Sequence, residues 1–314
     1  MTARSSTAAV VAGRSGELRD SYGRWHGPES VVCWASGSKV FLAALAGSLV
    51  AQGRLTWQTP VAELLGAEAP PTMTLAALVE HRSGLPRALP EQKATLPDPY
   101  DGWTTERFDE RVLGDLPALA AQGTAGDVSY SNVGYAVLAR AIERSQGRGW
   151  LELVREHLVR PLGVPGEVLL VARPEASSPS GPFAVGPRDL RDRPVIDWDT
   201  SVGPFAASGG LCSTVPDMVR ILRAALDAGS PLLPGDGPHA WERQGTRAWH
   251  AGALLRSGSL LVVDTGTGAV GASHAVGGLP GHGARYAERA LGALLAAAPQ
   301  TPPGTPPATT EGDT

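Results

Sequence analysis

Apolar and polar positions change period twice along the chain. Thr7-Ala8-Ala9-Val10-Val11-Ala12 and the stretch Glu17-Leu18-Arg19-Asp20-Ser21-Tyr22 flank Gly13-Arg14-Ser15-Gly16, which is a hairpin pattern. The middle of the chain repeats at helical spacing and predicts helices over about 38–52, 74–81, 105–121, 132–146, 149–158 and 215–228. Loops rich in Pro and Gly separate them, notably 83–103 and 172–204. Strand-like runs return at 251–255, 259–264 and 269–276, with Asp264-Thr265-Gly266-Thr267-Gly268 as the turn between the last two. A helix over about 285–297 closes the fold. Strands therefore lie at both ends and helices between them. This predicts an α/β (α+β) protein: one antiparallel sheet from both termini, flanked by helices, with an all-helical domain inserted. The expected division is 1–60 and 205–298 for the sheet part, 61–204 for the mainly helical part and 299–314 for a disordered tail rich in Pro, Thr and Gly.

Composition narrows the function classes. With 314 residues, 42% hydrophobic and 18% charged, the chain is long enough for a sizeable core. A formal net charge of −4 argues against nucleic acid or an anionic membrane as partner. The two cysteines, Cys33 and Cys212, have no metal-binding spacing and read as buried thiols. Residues 1–16 lack a signal-peptide apolar region and no run of about 18 apolar residues occurs, so a cytoplasmic location is expected.

One detail of the charge points to chemistry. Only two of the 27 basic residues are lysines, Lys39 and Lys93. Lys39 follows Ser36 by three positions, at the start of the apolar run Val40-Phe41-Leu42-Ala43-Ala44-Leu45-Ala46. Positions i and i+3 share a helix face. A buried lysine can give up its proton, whereas arginine cannot. Ser36 and Lys39 thus form a candidate nucleophile with an adjacent base. Tyr130-Ser131-Asn132 precedes the helix at 132–146; Tyr130 can relay protons, and Asn132 can hold both the lysine and the substrate. His250-Ala251-Gly252 starts the first late strand, where Gly252 would let a substrate lie against the strand edge. The amides of Ser36 and Ala253 are then candidates for holding an oxyanion. Gly281-His282-Gly283 is a competing small-residue site, ranked lower because it precedes a helix. His81 and Ser83 read as structural; Trp34, Trp103 and Trp198 are candidates for lining an acyl pocket, with core or loop packing the preferred reading of each.

Ser36-x-x-Lys39, Tyr130-x-Asn132 and His250-x-Gly252 resemble, in order, the three motifs of the serine β-lactamase and DD-peptidase superfamily. The similar branch contains class C β-lactamases, D-aminopeptidases, family VIII carboxylesterases and related acyltransferases. His81-Arg82-Ser83-Gly84-Leu85-Pro86 and Gly209-Gly210-Leu211-Cys212-Ser213-Thr214 are also similar to family segments. The resemblance implies a β-lactamase-like fold and acyl-enzyme chemistry with Ser36, Lys39 and Tyr130 catalytic. It implies Asn132, His250, Gly252 and Ala253 at the substrate. No metal or organic cofactor is expected. His250 stands where penicillin-binding enzymes carry lysine, and such versions accompany peptidase or esterase activity. The expected function is a serine hydrolase of esters or amides, carboxylesterase-like. The alternatives are an acyltransferase or cyclase, a β-lactamase or D-aminopeptidase, and a catalytically silent ligand-binding relative. The expected partner is a small-molecule acyl substrate, with a carrier-bound acyl donor under the acyltransferase reading.

Overall fold

The computed structural model describes residues 5–92, 98–171, 197–201, 203–277 and 281–296. Lys93, the segment 299–314 and most of the loop expected at 172–204 lie outside them.

Both ends of the chain build one antiparallel sheet. Its strands are β1 (Ser5–Ala12), β2 (Leu18–Tyr22), β6 (Glu242–Gln244), β7 (Arg247–Ala253), β8 (Ser257–Asp264) and β9 (Ala269–Gly277), in the order β2-β1-β9-β8-β7-β6. A second sheet, not anticipated from sequence, joins β3 (Val31–Cys33), β5 (Leu211–Thr214) and β4 (Leu170–Val171) in the order β3-β5-β4. Helices α1 (Ser38–Ala51), α2 (Val61–Leu65), α3 (Leu75–Val79), α4 (Thr105–Arg111) and α5 (Leu116–Ala120) follow one another in the first half. Then come α6 (Asn132–Gln146), α7 (Trp150–Val154), α8 (Ala206–Gly209), α9 (Val215–Ala228) and α10 (Gly283–Ala296).

β1 shows how the sheet is covered. Successive side chains point to opposite faces. Ala8, Val10 and Ala12 enter the main core, where Val219 and Leu222 of α9 also sit. Ala9 and Val11 join a second cluster with Ala287 and Leu291 of α10. With both faces buried, β1 reads as a nearly continuous apolar run. α10 approaches β8 backbone to backbone: a Cβ on Gly258 would lie 2.1 Å from the amide nitrogen of Ala284. The competing Gly281-His282-Gly283 segment is used in this packing, its Gly283 lying against Ser257.

Three predicted elements differ in extent. The helix expected over 105–121 breaks, because Pro117 lacks an amide hydrogen and Asp115 leaves helical dihedrals at φ −140° and ψ 30°. β7 begins at Arg247, so His250 lies within the strand rather than at its start. Gly210-Leu211-Cys212-Ser213-Thr214 leads into α9 as a strand, and Thr214 then caps that helix by accepting the Asp217 amide at 3.1 Å. Cys33 and Cys212 face each other in register across β3 and β5 as hydrogen-bonded thiols, Sγ atoms 2.7 Å apart.

Candidate active site

The site forms where β3 ends and α1 begins. α1 is rich in Ala and Leu, which favours a helix, and it is buried almost all round, which places it at the centre of the protein. A tight turn at Ala35–Gly37 connects strand to helix, and Ala35 takes φ 48°, a left-handed conformation that a residue with a Cβ rarely adopts. Side chains from several elements hold this turn. Ser259 donates to the Trp34 carbonyl at 2.6 Å, Trp34 Nε1 donates to Ser213 Oγ at 2.8 Å, and Ser38 Oγ donates to the Ala35 carbonyl at 2.7 Å. The next residue, Ser36, is half-buried and faces a cavity.

Ser36 and Lys39 come together as their spacing predicted, and Tyr130 joins them. Tyr130 OH donates to Ser36 Oγ at 2.7 Å, and Lys39 Nζ lies 3.4 Å from the same oxygen. Lys39 is fully buried, and Nζ donates to the Ser208 carbonyl at 2.6 Å. Its ammonium position also sits over the rings of Tyr130 and Tyr135, at 4.9 and 5.5 Å from their centroids. Burial, with a smaller contribution from the Arg87 charge, holds the Lys39 pKa well below the usual lysine range. Burial raises that of Tyr130.

Tyr130 is placed by His81, not by its own helix. The Ser131 amide donates to His81 Nδ1 at 3.0 Å, and the His81 ring lies 4.5 Å from the Tyr130 ring. This interaction needs a neutral imidazole, and burial, then the nearby Lys39 and His250, brings the His81 pKa down to about 3. Ser131 then caps α6 by accepting the Gly134 amide at 2.7 Å, while its hydroxyl donates to the Pro86 carbonyl at 2.7 Å.

The remaining expected residues sit at the site with different partners. Asn132 does not hold Lys39; its Nδ2 donates to Tyr100 OH at 3.3 Å, and the lysine hydrogen bond goes to the Ser208 backbone instead. His250 is buried and engaged with the protein: Nδ1 pairs with the Ala240 carbonyl at 2.7 Å. Burial, followed by the Lys39 charge, brings its pKa down to about 4. Gly252 leaves room for the nucleophile turn rather than for substrate, since a Cβ there would come within 2.3 Å of the Trp34 carbonyl oxygen and 2.5 Å of Ser259 Oγ. Ala253 lines the cavity beside Ser36. β6 pairs only with Arg247–Trp249, so β7 extends from His250 to Ala253 past its partner on that edge.

Sequence reasoning missed several residues of this cavity. Arg87, Gln92 and Tyr100 line it, and so does Trp198, which had read as packing. Trp34 and Trp103 are in the core. Among the described residues, no group of three or more His, Cys, Asp or Glu is arranged to hold a metal ion. No helix among them is long and apolar enough to cross a membrane.

The Beta-lactamase family profile matches residues 1–309. The chain belongs to this family. Its members comprise serine hydrolases of the β-lactamase and penicillin-binding type, including amidases and peptidases. The chain is 31% identical over 221 residues to Penicillin-binding protein 4 of Amycolatopsis lactamdurans, covering 64% of this chain and 52% of that one. It spans about half the length of the curated relatives it matches. Among solved structures, a class C β-lactamase from Rhodobacter sphaeroides superposes with TM-score 0.69 at 17% identity, covering 93% of this chain and 95% of the other. The D-amino acid amidase of Ochrobactrum anthropi SV3 gives 0.70 at 20% identity, with the same two coverages, 93% and 95%. The β-lactamase-like fold is thereby established, with its mixed arrangement of antiparallel sheet and helices.

Proposed function

We propose that this Beta-lactamase family protein hydrolyses an ester or amide through an acyl-enzyme on Ser36, with carboxylesterase-like preference. The observation that carries the reading is Ser36 Oγ held at 2.7 Å from Tyr130 OH and 3.4 Å from Lys39 Nζ. Ser36 attacks the carbonyl carbon of the substrate. Its proton passes to the Lys39–Tyr130 pair, which a lysine held largely neutral by burial can accept. The amides of Ser36 and Ala253 stabilise the oxyanion. Tyr130 returns the proton to the leaving group, and water then releases the acyl group by the reverse sequence. His250 lies within β7, with its ring tied to the Ala240 carbonyl. It presents a neutral imidazole where penicillin-binding relatives carry a lysine, which supports ester or simple amide substrates over β-lactams.

The similarity to a D-amino acid amidase supports extending the substrate range to amides. Incubation with short-chain esters, acyl thioesters and a β-lactam in parallel, followed by intact-mass analysis, tests the reading. The expected result is an acyl adduct on Ser36 with an ester or thioester, and fluorophosphonate labelling of the same residue. No adduct and no labelling would favour a silent ligand-binding relative. An adduct discharged only to an added alcohol or amine would make the protein an acyltransferase.

A further inference from the structure

The cavity beside Ser36 has a volume of about 170 Å³. That is room for on the order of ten waters, or a group the size of a short dicarboxylic acid. Its lining is one-sided in its chemistry. Arg87 stands exposed at the mouth with its guanidinium 5.1 Å above the Tyr130 ring. No carboxylate among the described residues pairs with it, whereas Arg111, Arg140, Arg148 and Arg223 all have acidic partners. Deeper in the cavity wall, Gln92 is 5% exposed. Its Oε1 accepts the Leu89 amide at 3.0 Å, which fixes the amide orientation and leaves Nε2 buried without a partner. Trp198 Nε1 is a second buried donor without a partner, also on the lining.

The Arg87 guanidinium is the charged donor of this lining, and among the described residues it has no carboxylate to accept from it. No Asp or Glu is among the described lining residues. The nearby acids are engaged with the protein: Asp98 accepts the Tyr100 and Asp199 amides, Asp197 accepts the Trp198 and Arg256 amides and the Ser257 hydroxyl, and Asp199 accepts the Ser201 amide and hydroxyl. A cationic amine would find no counter-charge in this lining and would face Arg87. A carboxylate would find a fork of charged donors.

We propose that this cavity is a subsite for a carboxylate carried on the acyl part of the substrate, with Arg87 as the residue that selects it. The proposal rests on Ser36 as the acylated residue. It narrows the substrate class to hemi-esters or hemi-amides of short dicarboxylic acids and sets aside substrates bearing a free α-amine.

Two arms test it. In the first, Ser36→Ala protein is titrated calorimetrically with glutarate and with its uncharged diamide. Glutarate should bind at least about tenfold more tightly, and Arg87→Ala or Arg87→Gln on that background should remove the preference. In the second, kcat/KM is measured for the mono-4-nitrophenyl ester of glutaric acid and for 4-nitrophenyl valerate. The ratio of the two, which cancels any effect of Arg87 on Lys39 or Tyr130 common to both substrates, should fall about tenfold or more in either Arg87 variant. Glutarate binding without turnover of either ester would overturn the hydrolase reading and leave the subsite standing. Equal binding of glutarate and its diamide, or a ratio unmoved by both substitutions, would overturn the subsite.

Discussion

Lys39 Nζ donates to the Ser208 carbonyl at 2.6 Å in a fully buried position. One backbone oxygen and a serine hydroxyl are the hydrogen-bonding partners of this amine among the described residues, and no carboxylate among them pairs with it. A cation in such a place is costly, and the neutral amine is the favoured form.

Lys39→Arg should therefore be nearly as damaging as Lys39→Ala. Arginine keeps the charge but cannot act as a base at accessible pH, and its planar fork does not fit a pocket built around one carbonyl. Ester hydrolysis should drop on the order of 10²-fold or more in both variants. Substantial recovery of kcat by arginine would assign Lys39 an electrostatic role in place of a basic one.

Ser36→Ala should lose turnover on the order of 10⁶-fold and all fluorophosphonate labelling. The fold should survive, because among the described residues the Ser36 hydroxyl bonds only Tyr130 and Lys39, and other side chains hold the turn. Circular dichroism and a thermal melt would separate these effects. More than about a hundredth of wild-type activity would remove Ser36 from the mechanism.

Gly252→Ala should damage stability as well as activity. The added Cβ would sit 2.3 Å from the Trp34 carbonyl oxygen, and relief would push β7 away from the Ser36 turn. Overpacking of this kind costs about 1–3 kcal/mol. A denaturant titration should show the loss in the midpoint. A variant as stable as wild type would mean that β7 and the turn can separate freely.

Stability should fall as the medium is acidified from pH 6.5. His26 bonds Ser6 Oγ at 2.8 Å and His274 at 3.1 Å, and burial brings its pKa down to about 4. His250, also buried, is likewise brought down to about 4. In the unfolded chain both titrate near 6.5, so between about 6.5 and 4 the unfolded state binds more protons than the native one. The native state is thus at full stability above that window and loses on the order of 3 kcal/mol per group across it. Denaturant midpoints at pH 7.5 and 4.5 should differ accordingly, and His26→Gln should flatten the dependence. Equal midpoints in wild type would show that these imidazoles are protonated in the native state.

The sequence by itself determined the sheet from both ends, the helical middle and the nucleophile–base pair. These depend on local periodicity and on spacing within one helical turn, which a chain carries in its order of residues: Ser36 and Lys39 come to the same side once the turn at Ala35–Gly37 runs on into α1. The tertiary structure decided what surrounds them. The oxygen that holds Lys39 belongs to the Ser208 backbone, 169 residues away in sequence, and a carbonyl has no side-chain signature to read. Asn132 and His250 were legible as site residues, but their partners, Tyr100 and Ala240, depend on how loops fold over α6 and β7. Gly252 looked like space for a substrate and is space for Trp34, because only packing fixes which backbone approaches a missing side chain. Arg87 and Gln92 come from the loop between α3 and α4 and Trp198 from the segment before α8, and each alone is an ordinary surface or packing residue. Only the fold gathers them at one cavity beside Ser36.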